Sequence, residues 1–292
     1  MSKKYIIGAL AVVLLIGGFW YFRGSLPNFE RKEAVQREKI GVGTTATKQE
    51  TFDQYQALID YLNKYSMDEW YLVPLKDYGS FVSQMRLGQI KAGFMGSLVS
   101  YKMISEGLTV PVARGEKNGN SVYYSYIFTR KDSGLNKIED LMGKKFAYVD
   151  AYTSAGYYFP RHFLKSKGYD PETFFGVASF LGTHEKAVLA VLSGEYDGGA
   201  AKDLAWKKLA KENPRIEKEL QLLPTNEASG PYPEQIFMIS SIYAEEKFQN
   251  LRDLLLKMNE SEEGRSYLTK FGADRFIPTD MKDFEMVKKI AE

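Results

Sequence analysis

The chain has 292 residues, 44% of them hydrophobic and 26% charged, and 39 basic side chains against 37 acidic ones leave a formal net charge of +2. That length suggests about two domains, and the balance of charge, with no long basic block, gives no reason to expect a nucleic-acid partner. The absence of cysteine removes disulfides, thiolate catalysis, Cys-ligated zinc and a lipid-bearing cysteine, but fixes no compartment.

The N-terminus opens with Lys3 and Lys4 and then an uncharged run from Tyr5 to Phe22. Its length at ~1.5 Å per residue gives roughly 27 Å, enough to span a hydrocarbon core. The two lysines place the start in the cytoplasm and the remainder outside. The run ends in Phe19, Trp20, Tyr21 and Phe22, a poor cleavage context and a good interfacial belt. A retained anchor is therefore expected, with a cleaved signal as the alternative. Residues 24–36 read as a polar linker, so that residues 1–36 precede a globular part starting near Arg37.

Downstream, one pattern recurs. Ile40 and Val42 suggest a strand; Thr44, Thr45 and Thr47 follow; then Phe52, Tyr55, Leu58, Ile59 and Leu62 recur at helical spacing. Ile90 to Phe94 lead through Gly96-Ser97 into a helical run that includes Tyr101. Phe146 to Val149 lead into Asp-Ala-Tyr-Thr-Ser-Ala-Gly and a helix rich in aromatics. Val177 to Leu181 lead into Gly182-Thr183-His184, and Ala187, Val188, Val191 and Leu192 give the helix face, with Gly194 as its stop. A further apolar run, Tyr196 to Ala201, follows at once. Short strands alternating with helices predict an α/β architecture with mostly parallel sheets.

In such sheets ligands bind beyond the carboxyl ends of the strands, where helix N-termini converge. Thr, Ser, Gly or His at four such junctions is consistent with ordinary capping or with an oxyanion held by exposed N–H groups. Pattern alone leaves both open. The 20 tyrosines include Tyr78, Tyr101, Tyr123, Tyr124, Tyr126 and Tyr152 near predicted junctions, either as half-buried packing residues or as neutral donors of a cleft. Of the two histidines, His162 falls inside a helix and reads as structural, whereas His184 opens one, where an imidazolium would stabilise an anion.

Four segments carry a family resemblance: VPLKDYGSFVSQMRLGQIKAGFMGSLVSY, YYSYIFTRKDSGLNKIEDLMGKKFAYVDAYTSAGYYFPR, FLGTHEKAVLAVLSGEYDGGA and PYPEQIFMIS. In order and spacing the chain resembles, from about Ile40 to Pro278, the substrate-binding proteins of phosphate/phosphite/phosphonate ABC transporters. The resemblance implies a type II periplasmic-binding-protein fold of two lobes, residues 37–126 plus 235–292 and residues 127–234, joined by two crossovers. It implies phosphorus-oxyanion binding between the lobes, by Thr153, Ser154 and the N–H groups of Ala155 and Gly156, by His184, by Tyr78, and by Tyr101 and Tyr126. Where the ligand carries an amine, family members set carboxylates against it; Asp197 and Asp203 are the nearest candidates, with Lys202 beside the latter. No cofactor or metal is expected. The implied partners are a small anion, an ABC permease and, through residues 5–22, the cytoplasmic membrane. A sensor that hands its ligand state to a partner protein is one alternative reading. An enzyme on the same fold is another, although neither G-x-S-x-G nor H-E-x-x-H occurs.

Overall fold

The computed structural model describes residues 37–43, 48–75, 77–226, 229–243 and 245–292, with backbone alone at residues 48, 50 and 51. The expected membrane run, the linker and Thr44, Thr45 and Thr47 lie outside these. Among the described residues no helix is long and apolar enough to cross a membrane. Residues 37–292 form one compact unit built on two sheets and a ribbon.

The first sheet holds β1 (Arg37–Gly43), β2 (Glu69–Leu75), β3 (Ala92–Met95), β4 (Thr109–Glu116), β12 (Ile236–Ser240) and β13 (Arg275–Pro278), in the order β13-β4-β12-β3-β1-β2. The second holds β6 (Ser125–Arg130), β7 (Lys145–Tyr148), β8 (Val177–Phe180), β9 (Gly198–Lys202) and β10 (Leu220–Leu222), in the order β10-β6-β9-β7-β8. Between them β5 (Val122–Tyr123) pairs antiparallel with β11 (Tyr232–Pro233), Tyr232 opposite Tyr123. The chain crosses between lobes at these two short strands.

The expectation of mostly parallel sheets is corrected here. β1 is parallel to β2 and β3, and β7 to β8 and β9, but β12, β13, β6 and β10 all pair antiparallel. The cause is the double crossover. Strands β1, β3, β4, β7, β8 and β9 run towards the interlobe junction, whereas β6 and β12 enter from the crossovers and run away from it, and β13, reached from β12 through two helices, keeps the direction of β12.

In the first lobe the helices are α1 (Lys48–Tyr65), α2 (Tyr78–Arg86), α3 (Ser97–Ser105), and, after the return crossover, α8 (Glu245–Leu256) and α9 (Glu262–Phe271). Of the helical face read from sequence, Tyr55, Leu58, Ile59 and Leu62 are buried, but Phe52 is exposed. The second lobe carries α4 (Phe159–Ser166), α5 (His184–Leu192), α6 (Asp203–Glu212) and α7 (Arg215–Glu219). Its α5 face is buried as expected, and Gly194, with φ +80°, ends that helix.

Glycine lets α2 lie close on the first sheet. A Cβ at Gly93 would come 2.4 Å from the Gly41 carbonyl and 2.5 Å from the Phe81 ring, and one at Gly43 would meet Met95 and Tyr78. This close approach brings Tyr78, the first residue of α2, over the sheet's carboxyl end.

The C-terminal helix α10 (Glu285–Ala291) belongs to neither lobe alone. It packs on α3 in the first lobe and on residues 154–166 of the second, so Phe284, Val287 and Ile290 join one apolar core with Phe81, Leu98 and Met103 on one side and Phe146, Phe159 and Phe163 on the other.

Candidate oxyanion site between the lobes

Strand β7 runs into a tight turn. Asp150 accepts the Tyr152 N–H at 2.9 Å, and its carbonyl accepts both the N–H and the hydroxyl of Thr153, at 3.1 and 2.9 Å. Thr153 stands at the N-cap position, yet its side chain caps nothing, because the hydroxyl is spent on the turn. The helix opens instead with a wide π-turn, Ser154–Tyr158, in which the Tyr158 N–H reaches back to the Thr153 carbonyl. Such turns concentrate at functional sites. Gly156 is required here: a Cβ would lie 2.5 Å from the Val149 side chain.

With Thr153 turned away, the Ser154 hydroxyl faces the other lobe. It lies 2.8 Å from the hydroxyl of Ser97, which is itself 2.6 Å from the phenol of Tyr123. Ser97 opens α3 directly after β3, behind Gly96, and again no side chain caps the helix. Thus two helix N-termini, each with first-turn N–H groups that lack intrahelical acceptors, and one crossover tyrosine converge on a single point. All three side chains are buried. Ser125, at the start of β6, donates to the Ala155 carbonyl at 2.7 Å and fixes the second of these helix ends.

The hydroxyls are neutral donors. Burial pushes the Tyr123 phenol up to about 12, against the lowering effect of Ser154 and Ser97, and burial also raises Tyr78 well above its ordinary value. Tyr78 is buried, with its ring 6.4 Å from that of Tyr152.

His184 differs from expectation. Its Nδ1 accepts the backbone N–H of Lys202 at 3.1 Å, which puts the proton of a neutral ring on Nε2. Burial, and then the Lys202 ammonium, push its pKa down to about 3. His184 is therefore a neutral donor at neutral pH, not the imidazolium that the sequence suggested. Lys202 ends β9, lies 4.4 Å from the centroid of the Tyr123 ring and pairs with Glu234 beside the crossover.

Four named residues are not brought to the hydroxyl cluster. Asp197 immediately precedes β9, at the end of the strand opposite Lys202, where it accepts the Lys145 N–H at 2.8 Å; the strand's direction, invisible in a list of carboxylates, sets this. Tyr101 lies one turn into α3 with its ring against Phe284, and Tyr126 packs edge-on against Trp206 in the second lobe. Asp203, 2% exposed, accepts the Tyr124 N–H and pairs with Lys207 rather than with Lys202. The sequence resemblance leaves Ser97 and Tyr123 out of the implied ligand set and does not single out Glu234. The Gly96-Ser97 junction carries the same signal as Thr153-Ser154, and Tyr123 stands among the tyrosines near predicted junctions, whereas nothing local marks Glu234.

Two sheets joined by a two-strand crossover, with helix N-termini meeting at the junction, define a two-lobed α/β fold of the periplasmic-binding-protein type. The family model for the "ABC transporter, phosphonate, periplasmic substrate-binding protein" matches residues 40–284, and the chain belongs to that family. It is 23% identical over 235 residues to the probable ABC transporter phosphite binding protein PhnD1 of Prochlorococcus marinus (strain MIT 9301), a match covering 75% of this chain and 76% of that one. It is 28% identical over 163 residues to the phosphate-import protein PhnD of Mycolicibacterium smegmatis, covering 51% of this chain and 50% of that relative. The solved structure of PhnD1 from Prochlorococcus marinus in complex with methylphosphonate superposes with a TM-score of 0.74 at 20% identity, over 88% of this chain and 97% of that one. XAC2383 from Xanthomonas citri gives 0.76 at 17% identity, over 87% and 96%.

Proposed function

We propose that the chain is an extracytoplasmic solute-binding protein that takes a small phosphorus oxyanion between its lobes and delivers it to an ABC permease. The observation that carries this reading is the convergence of Ser97, Tyr123 and Ser154 at two helix N-termini from opposite lobes. Hydroxyls and backbone N–H groups suit a tetrahedral oxyanion, because each oxygen accepts hydrogen bonds and the helix dipoles favour negative charge. In this assignment Ser97, Tyr123, Ser154 and Tyr78 donate hydroxyls, Ala155 and Gly156 donate backbone N–H groups, and His184 donates from Nε2. Family membership supports the transport role, and the names of the relatives, which cover phosphite, phosphate and methylphosphonate, support the ligand class.

Nothing in the cluster resembles a nucleophile with its base. Both serines lie among hydroxyls, and the accepting nitrogen of His184 is occupied by a backbone N–H. Equilibrium binding followed by phosphorus NMR of the recovered ligand tests this. Saturable binding with the ligand unchanged is expected; steady conversion would show an enzyme instead.

The apolar run Tyr5–Phe22 supports a finer reading, in which the protein stays tethered to the outer face of the cytoplasmic membrane by an uncleaved N-terminal helix. Mass spectrometry of the native N-terminus decides it: a mature chain starting between Gly24 and Asn28 would mean a cleaved signal.

A further inference from the structure

Helix α3 meets the second lobe at two points. Its first residue, Ser97, faces Ser154 across 2.8 Å. Further along the helix, the Lys102 ammonium donates to the Tyr158 hydroxyl at 2.7 Å and lies 4.5 Å from the centroid of the same ring. Ser154 and Tyr158 are the first and last residues of the π-turn, so α3 grips that turn at both ends. Lys102 and Tyr158 are both half-buried, and a partly desolvated ammonium gains from a hydrogen bond and from the face of an aromatic ring. Among the described residues no carboxylate pairs with Lys102; its charge is met by the phenol of the other lobe. Tyr158 is a firm anchor for it. Its N–H closes the π-turn on the Thr153 carbonyl at 3.1 Å. Its ring stands edge-on to Tyr157 at 5.5 Å, and Tyr157 is held in turn by the Tyr148 ring at 5.0 Å and the Arg161 guanidinium at 4.9 Å. Helix α10 packs on both α3 and the π-turn.

The two points differ in what a ligand does to them. Ser97 and Ser154 are both assigned to the anion, and their hydroxyls turn to it when it binds. Lys102 and Tyr158 give nothing to that site, so their contact does not depend on what lies there. We propose that Lys102 and Tyr158 form a ligand-independent latch: it holds the lobes together whether the site is filled or empty, and sets how fast a phosphorus oxyanion enters and leaves rather than how tightly it is held. A contact made equally in the filled and empty closed forms cancels from the affinity while the closed form predominates. It does not cancel from the cost of opening, which entry and exit both meet. Lys102 is thus a positioning residue, acting on the site through Tyr158 and the turn that Tyr158 ends. The rates rest on the proposed function, because they need its ligand; the holding of the lobes does not.

The chain has no cysteine, so spin labels on Ser83→Cys in α2 and Lys186→Cys in α5, exposed positions in different lobes, report the lobe separation of the full-length chain in detergent. With the latch intact, one short label distance is expected with and without methylphosphonate. Lys102→Met should add a longer distance without ligand, and methylphosphonate should remove it. Lys102→Arg, which keeps the cation, should behave as the intact latch. In stopped flow with a fluorophore on Ser83→Cys, Lys102→Met should speed methylphosphonate association and dissociation together, by about five- to tenfold, with the dissociation constant rising no more than about threefold. Should Lys102→Met not fold, Tyr158→Phe, which keeps the ring and loses the hydroxyl, must move both rates in the same direction. A long distance in the ligand-free intact protein overturns the proposal. So does a Lys102→Met protein that releases ligand faster at an unchanged association rate, the mark of a contact made only around bound ligand. A merely structural contact predicts a lower melting point with distances and rates unmoved, which overturns it too. If methylphosphonate, phosphite and phosphate all fail to bind, the proposed function falls, while the label distances without ligand still decide the latch.

Discussion

The hydroxyls of Ser97 and Ser154 lie 2.8 Å apart, although the residues are 57 positions apart and belong to different lobes. Each opens a helix immediately after a strand or its turn, and each is free to face the other because neither caps its own helix. The contact makes the lobe interface and the candidate ligand site the same place.

Ser97→Ala and Ser154→Ala should therefore both weaken oxyanion binding. A hydrogen bond to a charged acceptor is worth roughly 1.5–3 kcal/mol, or about 10- to 100-fold in affinity. The apo protein should lose only about 1 kcal/mol, the value of a neutral hydrogen bond. Calorimetry and melting curves on the same samples read both quantities. Lower melting points with unchanged affinity would reduce the pair to a lobe contact.

The depressed pKa of His184 gives a pH dependence with a definite sign. The unfolded imidazole titrates near 6.5 and the folded one near about 3, so between these values the unfolded chain binds more protons and stability falls as pH falls. Above about 6.5 the group contributes no slope. His184→Gln, which cannot charge, should flatten the apo stability profile of urea melts on the acid side of 6.5. An unchanged profile would show that the ring is not held neutral.

Arg114 holds the C-terminal segment. It is 7% exposed, pairs with Asp283 at 2.8 Å and also donates to the Pro278 carbonyl, Thr279 and Ser121. Arg114→Met should cost roughly 3–5 kcal/mol, since it strands Asp283 and the acceptors around it. Because α10 packs on both lobes, the loss should appear in a single cooperative transition measured by both calorimetry and circular dichroism. Two separate transitions would show that α10 does not couple the lobes.

Asp197 supplies the contrast. Its carboxylate caps the Lys145 N–H at the end of the sheet remote from Lys202, so Asp197→Ala should lower stability by about 1–2 kcal/mol and leave affinity within about threefold. Tyr101→Phe, whose ring packs on Phe284, should leave affinity equally unchanged. A tenfold loss in either variant would bring that residue back to the site.

Strand-to-helix junctions were legible because they are local: the hydroxyl and glycine signals at Gly96-Ser97, Thr153-Ser154-Ala155-Gly156 and Gly182-Thr183-His184 all fall beyond strand ends. Strand direction was not legible, since it follows from the crossovers, and it separates Asp197 from Lys202 although both lie on one short run. The side to which a tyrosine turns was equally hidden: Tyr123 reaches Ser97, while Tyr126, three residues on, packs on Trp206. The state of His184 depended on a backbone N–H from β9, and Glu234 on Lys202, contacts that no spacing within either segment reveals.

The most direct test of the central claim is the melting point of the wild type with phosphate, phosphite and methylphosphonate, each at ~100 times its dissociation constant as measured by calorimetry. Binding to the folded form alone adds roughly 2.7 kcal/mol at that excess, a rise on the order of 5–10 °C for a chain of this size. At least one of the three is expected to produce that rise with saturable binding. No binding heat and an unmoved melting point with all three would contradict the reading of the interlobe hydroxyl cluster as a phosphorus-oxyanion site.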